Sequence, residues 1–313
     1  MFLFCKMLIL CADGCKIFIC VLTFKAKNVL VKEVLFRGSI RFLTALHPSQ
    51  SQKSMIHQTA IVSSKAKLGE GVRIGPYCVV GEHVTLGDRV VLHSHVVIEG
   101  RTTLGDACMV YPFASIGHAP QDMKYAGEPS TVSIGAKTVV REYVTVQPGT
   151  KADLMAPKVG SSCLLMASTH VAHDCIVGDH VVMANNATLA GHVVVGDGAV
   201  IGGLAAIHQF VRIGKKVMVS GTTGISRDVI PYGMVGPQDN TLSGLNVVGL
   251  KRQGTSQEAV RCLRRVYGVL FEDTVGTRQQ RIEALDKKDL SFQEVQDVLA
   301  FIQASDKRPL CLP

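Results

Sequence analysis

Four histidines, an aspartate, a glutamine and a glycine recur in one stretch of this chain at matched spacings. His173, Gly191 and Gln209 are 18 residues apart, and so are Asp174 and His192. His170 precedes His173 by three residues, and His208 adjoins Gln209. If the chain turns once every 18 residues, these groups converge on one face over about three turns, within ~10 Å. A lone histidine is more often structural or solvated; four converging beside a carboxylate suggest chemistry. An imidazole titrates near neutrality and can take a proton from an attacking hydroxyl. A carboxylate next to it orients the ring and stabilises the imidazolium. A glycine N–H such as that of Gly191 can face a developing oxyanion. The same set admits a second chemistry, because three imidazoles and a water make a zinc site.

An 18-residue turn is what the surrounding sequence predicts. From Val159 to Ile225 an apolar residue returns every six positions, through Leu165, Val171, Val177, Met183, Leu189, Val195, Ile201, Ile207, Ile213 and Val219. A second small or apolar residue follows four positions after each, among them Cys163, Cys175, Val181 and Ala187. Neither a helix of period 3.6 nor an alternating strand has a period of six. Stacked hexapeptides form a parallel β-helix, with three hexads to a coil. An earlier run covers Val62 to Ile116, and a short one covers Ile134, Val140 and Val146. Twenty-five hexads make about eight coils, roughly 40 Å at the strand spacing. Two polar, Pro- and Gly-bearing segments, residues 117–130 and 147–158, break the runs and read as loops thrown out of the coil. Loops inserted in a solenoid cluster on its functional face.

The expected layout is therefore a leader over residues 1–54, a β-helix over 55–231, and a Gly-rich connector with a small helical domain over 232–313. Thr255-Ser-Gln-Glu258 and Ser291-Phe-Gln-Glu294 read as capping boxes, opening helices to about Phe271 and Ala304, with another helix between them. This tail would cap the solenoid's open end or, through Arg261, Arg264 and Arg265, serve as a docking surface. The formal charge of +8 suggests nucleic acid at first sight. Residues 1–60 hold eight Lys/Arg against two acids, so six of those charges belong to the leader and the repeats are near neutral. No nucleic-acid partner is expected. The leader is acid-poor and resembles a transit peptide, mitochondrial before chloroplast, with a cytoplasmic protein as the alternative. Its apolar part is broken by Lys6, Asp13 and Lys16, so no transmembrane segment is expected. Of ten cysteines, Cys78, Cys108, Cys163 and Cys175 fall on inward positions, which fits small buried hydrophobes in a reducing compartment.

His170-Val-Ala-His-Asp-Cys175, Ala184-Asn-Asn-Ala-Thr-Leu-Ala-Gly-His192, Ile207-His-Gln-Phe210, Gln121-Asp-Met-Lys-Tyr-Ala-Gly-Glu-Pro129 and Gly249-Leu-Lys-Arg252 together resemble the UDP-N-acetylglucosamine O-acyltransferases of lipid A biosynthesis. The likeness runs from about Ile56 into the C-terminal helices. It implies a left-handed parallel β-helix, a hand that periodicity does not supply. It implies a homotrimer with sites between subunits, which moves an (R)-3-hydroxyacyl group from acyl carrier protein to the 3-hydroxyl of UDP-N-acetylglucosamine. The carrier-bound thioester is then a co-substrate, and neither a cofactor nor a metal is implied. By matched position His173 is the base, Asp174 its support, and Gly191 the donor to the thioester carbonyl. Asp122, Lys124, His170, His192 and Gln209 line the sugar and acyl pocket, with His208 supporting it. Asn246 and Arg252 hold the nucleotide, and Gly221 occupies the position of the acyl-chain ruler. Two departures, Gln147 in place of the usual His and Val248 in place of an acid, imply weaker nucleotide binding or a modified sugar. The leader is a third, pointing to an organellar, plant version. Two other functions compete: an N-acyltransferase on a related amino-sugar nucleotide, and a scaffold β-helix without catalysis.

Overall fold

The computed structural model describes residues 4–12, 15–26, 29–34, 55–151, 157–236, 241–252, 254–273, 275–304 and 308–313. It divides into two units, Met1–Gln50 and Ser51–Pro313. In the first, strands Phe4–Ala12, Cys15–Ala26 and Val29–Val34 form an antiparallel meander. The leader's side chains, and the whole of residues 35–54, lie outside what is described, and the transit-peptide reading lies there with them.

The second unit is a solenoid of three parallel sheets built from strands mostly two residues long. Each strand pairs with the one 18 residues on, as Leu165 with Met183 and Met183 with Ile201. At the inserted loops the step widens: Val110 pairs with Val140, and Val140 with Leu165. The loops thus leave the coil and return without shifting register, so every inward residue stays inward. Leu165, Met183, Leu189, Ile201 and Val219 are completely buried in one continuous core. All twenty-five expected hexad strands are present. Two more extend the run, Met55–Ile56 before it and Gly233–Val235 after Pro231, where the repeat was expected to have ended.

The corners matter most for function. Among the described residues, eighteen other than glycine adopt φ of 55° to 65°, at multiples of six through long stretches, including Asp174, His180, Asn186 and His192. A left-handed residue costs ~1 kcal/mol or more. Here each bends the chain sharply between two faces, and most of their N–H groups find a carbonyl in the preceding coil. His192 N–H donates to His173 O at 3.0 Å, and Phe210 N–H to Gly191 O at 3.2 Å. A corner residue is thereby held by its own backbone, and its side chain is aimed outward at a fixed height.

Past the coils, Leu242–Leu245 pairs antiparallel with Gly233–Val235 and closes that sheet edge. The connector is thus part strand, and it also holds helix α1 (Val247–Arg252). Helix α2 (Gln257–Tyr267) starts one residue later than expected: Ser256, not Thr255, accepts the Ala259 N–H. Helices α3 (Arg278–Glu283) and α4 (Lys287–Leu290) fill the interval where one helix was expected, and the capping box belongs to α3, through Thr277 and Gln280. Helix α5 (Gln293–Gln303) has Phe292 at its N-cap, because Ser291 ends α4 and donates its hydroxyl to Lys288 O. Arg265 is tied to Asp289, which takes it out of the expected docking trio. Cys78, Cys108, Cys163, Cys175, Cys262 and Cys311 are buried free thiols. Among the described residues, no helix is long and apolar enough to cross a membrane.

Candidate active site

His173 and Asp174 occupy the corner between the strands His170–Val171 and Ile176–Val177. His173 Nδ1 lies 3.0 Å from Asp174 Oδ2. Asp174 is only 1% exposed, an unfavourable place for a carboxylate unless its oxygens are bonded. Thr150 bonds them. Its N–H reaches both Oδ1 (3.0 Å) and Oδ2 (3.1 Å), and its hydroxyl reaches Oδ2 at 2.6 Å. Burial pushes the Asp174 carboxyl up, but Thr150 and His173, with His192 beyond, outweigh it and hold the carboxyl below its usual range. An ionised carboxylate only accepts hydrogen bonds, so His173 Nδ1 carries the proton and Nε2 presents a lone pair. That is the tautomer of a general base.

Gly191 lies directly against that ring. A Cβ built at 191 would fall 2.6 Å from His173 Nε2 and nearer still to Cε1, so only glycine leaves the imidazole its place. The Gly191 N–H has no backbone carbonyl partner among the described residues. At another corner the equivalent N–H is filled: Ser161 donates to Asp179 Oδ1 and Asp179 to Asp197 Oδ1. Above Gly191 stands Gln209 in place of a carboxylate, so the Gly191 N–H lacks the acceptor its equivalents have.

His192 stands edge-on to His173, centroids 5.0 Å apart, and stacks flat on Phe210 at 4.4 Å. Its Nδ1 is 3.9 Å from Asp174 Oδ2, beyond hydrogen-bond range. His170 is partly buried on its strand, with Nδ1 2.6 Å from Thr145 Oγ1. Burial first, and the neighbouring His173 second, push its pKa down. His208 is exposed in the column Gln147, Ala172, Ala190, His208, with Arg308 Nη2 2.9 Å from its Nδ1. The zinc alternative meets a donor set of another kind. Donor atoms of His173, Asp174 and His192 lie within 4.8 Å of one another. That alternative needs a third imidazole, and this cluster supplies a carboxylate instead; His170 is engaged by Thr145, and both Asp174 oxygens already accept hydrogen bonds.

The remaining expected residues lie on other elements. Asp122 Oδ1 accepts the Lys124 N–H at 3.0 Å within the first inserted loop, and Lys124 is exposed. Gly221 sits above Gly203, whose carbonyl would be 3.0 Å from a Cβ at 221. Asn246 has a structural task as well: its Oδ1 caps α1 at Gly249 N–H and its Nδ2 donates to Lys216 O, both at 3.0 Å. Arg252 ends α1 and is exposed, as is Val248 on its first turn. Gln147, at the edge of the second loop, is buried, and its Oε1 has no hydrogen-bond partner among the described residues. Two site residues were missed. Phe210 is 18 residues past His192, so the same count reaches it. Thr150 lies in the second inserted loop, where no 18-residue count leads.

A family model described as UDP N-acetylglucosamine O-acyltransferase, domain 2, matches residues 228–311, and the bacterial transferase hexapeptide model matches 65–100 and 156–191. The chain is 41% identical to the acyl-(acyl carrier protein)–UDP-N-acetylglucosamine O-acyltransferase of Rhizobium johnstonii, over 84% of this chain and 96% of that one. It is 47% identical to the protein of the same description from Thermodesulfovibrio yellowstonii, over 82% and 98%. Among solved structures, the UDP-N-acetylglucosamine acyltransferase of Campylobacter jejuni superposes with a TM-score of 0.77 at 34% identity, covering 82% of this chain and 99% of its own. The Arabidopsis UDP-N-acetylglucosamine acyltransferase gives 0.73 at 31% identity, covering 82% and 100%.

Proposed function

The chain belongs to the acyl-(acyl carrier protein)–UDP-N-acetylglucosamine O-acyltransferase family, and on that premise we propose that His173 is the general base of its reaction. The protein is an acyltransferase that moves an acyl group from acyl carrier protein to UDP-N-acetylglucosamine in lipid A biosynthesis. His173 Nε2 takes the proton of the sugar 3-hydroxyl as that oxygen attacks the thioester carbonyl of an (R)-3-hydroxyacyl chain. The Gly191 N–H stabilises the oxyanion. Collapse forms the ester and breaks the C–S bond, and the departing thiolate takes up the proton from the imidazolium. Asp174, held by Thr150, keeps the ring in the accepting tautomer throughout. The observation that carries this reading is the 3.0 Å contact between His173 Nδ1 and a buried, thrice-donated carboxylate.

Asp122, Lys124, His170, His192, His208 and Gln209 serve the sugar and acyl pocket, and Asn246 and Arg252 the nucleotide. Arg252 suits a diphosphate through its forked donors. Gly221, lacking a side chain, leaves room for a long acyl chain. The proposed assembly is a homotrimer whose sites draw on two subunits, as the family resemblance implies. The acid-poor leader supports import into mitochondria, which a fluorescent fusion of residues 1–54 would test. The reaction is tested by incubating the protein with UDP-N-acetylglucosamine and a series of 3-hydroxyacyl carrier proteins, followed by mass spectrometry. Acylated sugar nucleotide that disappears with His173→Ala is the expected result. A free-amine sugar acylated in preference would move the protein to the N-acyl class. Gly221→Met should shift the product towards shorter chains; an unchanged profile removes Gly221 as the ruler.

A further inference from the structure

Glu128 belongs to the 121–129 motif but has no part in the chemistry above. Its carboxylate joins the two inserted loops. Oε2 accepts the Ala126 N–H at 2.9 Å, inside its own loop, and Oε1 accepts the Lys151 N–H at 2.9 Å, in the other. The Glu128 carbonyl accepts the Tyr125 hydroxyl and the Ser130 N–H, which fixes the backbone from which the carboxylate projects. Lys151 follows Thr150 directly. Two successive N–H groups of one loop are therefore given to two carboxylates, Thr150 to Asp174 and Lys151 to Glu128. A loop backbone held at adjacent amides by two anions cannot move against one without straining the other.

We propose that Glu128 is a positioning residue, tying the loop that carries Asp122 and Lys124 to the Thr150 segment that holds Asp174, so that loop placement and dyad alignment are set together. The proposal rests on the acyl-transfer reading for its catalytic consequence but not for the tie itself. The path runs from Asp122 and Lys124 along their loop to Glu128, across to Lys151 and Thr150, and on to Asp174 and His173. A substrate that engages the first loop thereby stiffens the support of the base. The Lys151 amide first, and the Ala126 amide second, hold the Glu128 carboxyl below its usual range, the direction expected of such a tie.

The test has two arms on the full chain. Hydrogen–deuterium exchange at the Lys151 amide should quicken in Glu128→Ala and lie between the two in Glu128→Gln, whose single carbonyl oxygen can serve only one of the two amides well. Turnover should fall about 10-fold in Glu128→Ala, short of the ~10²-fold that outright misplacement of a reacting group costs. Added to Thr150→Val, the same substitution should cost less than its separate effect, because both act through Asp174. Unchanged Lys151 exchange in Glu128→Ala overturns the tie, and fully multiplicative losses of turnover overturn its route through Thr150. If the wild-type protein transfers no acyl group, the reaction reading fails, and the exchange arm still decides whether the tie exists.

Discussion

Tyr77, His95, Phe113 and Tyr143 stack along one corner of the solenoid much as His192 and Phe210 stack along the next. Ring centroids along the first are 5.0, 5.0 and 5.1 Å apart, and the pair on the second is 4.4 Å apart. Both ladders come from the same device, a left-handed corner residue repeated one coil up. Their surroundings differ. Tyr77, Phe113 and Tyr143 are 58%, 48% and 59% exposed, and no carboxylate stands in that ladder. At the foot of the second stands Asp174, buried because residues 146–150 fold against it. Stacked rings are therefore a cheap by-product of the repeat. Reactivity arises where a loop leaves the repeat to bury an anion and supply its donors.

The largest expected effect separates the ladders outright. His173→Ala should lower turnover by at least ~10²-fold, as loss of a general base does, while His95→Ala on the exposed ladder should leave it near wild type. Comparable losses in steady-state assays would dissolve the distinction. Gly191→Ala comes next: its methyl would displace the imidazole, and turnover should fall by up to ~10²-fold with secondary structure intact by circular dichroism. Thr150→Val removes one donor to a buried anion. It should cost about 1.5–3 kcal/mol in urea unfolding, the range for a hydrogen bond to a charged group, with a smaller loss of turnover. The smallest effect is on pH dependence. The folded pKa of Asp174 is lowered, below an unfolded value of ~3.9. Its contribution to stability is complete above that value and is lost as pH falls through the folded pKa. Unfolding midpoints taken from about pH 5 down to about pH 2 should fall less steeply in Asp174→Asn than in the wild type.

The solenoid was legible because its core repeats: each inward residue must be apolar, and neither a helix nor a flat sheet produces a strict period of six. The site was legible as far as the same count carried. His173, Asp174, Gly191 and His192 converge as their 18-residue spacing requires, and Phe210 lay within reach of that count. The helical cap was read less well. Ser256 makes the cap that Thr255 was expected to make, since neighbouring hydroxyls are equivalent as text and only backbone geometry selects one, and Ser291 ends α4 instead of capping α5. Gly233–Val235 was taken for connector because one strand added to an existing sheet needs no repeat of its own.

Sequence alone determined the coil, its register and the histidine face, because these follow from a short period acting on neighbouring residues. Tertiary structure decided what the inserted loops do. Thr150 reaches Asp174 across 24 residues, and Glu128 reaches Lys151 across 23. Both contacts depend on where a non-repeating backbone folds back. Whether Gln147 faces solvent or lies buried was settled the same way. A periodic core specifies the heights and faces of its side chains; the burial of one anion, and the donors that make that burial tolerable, come from chain that obeys no period.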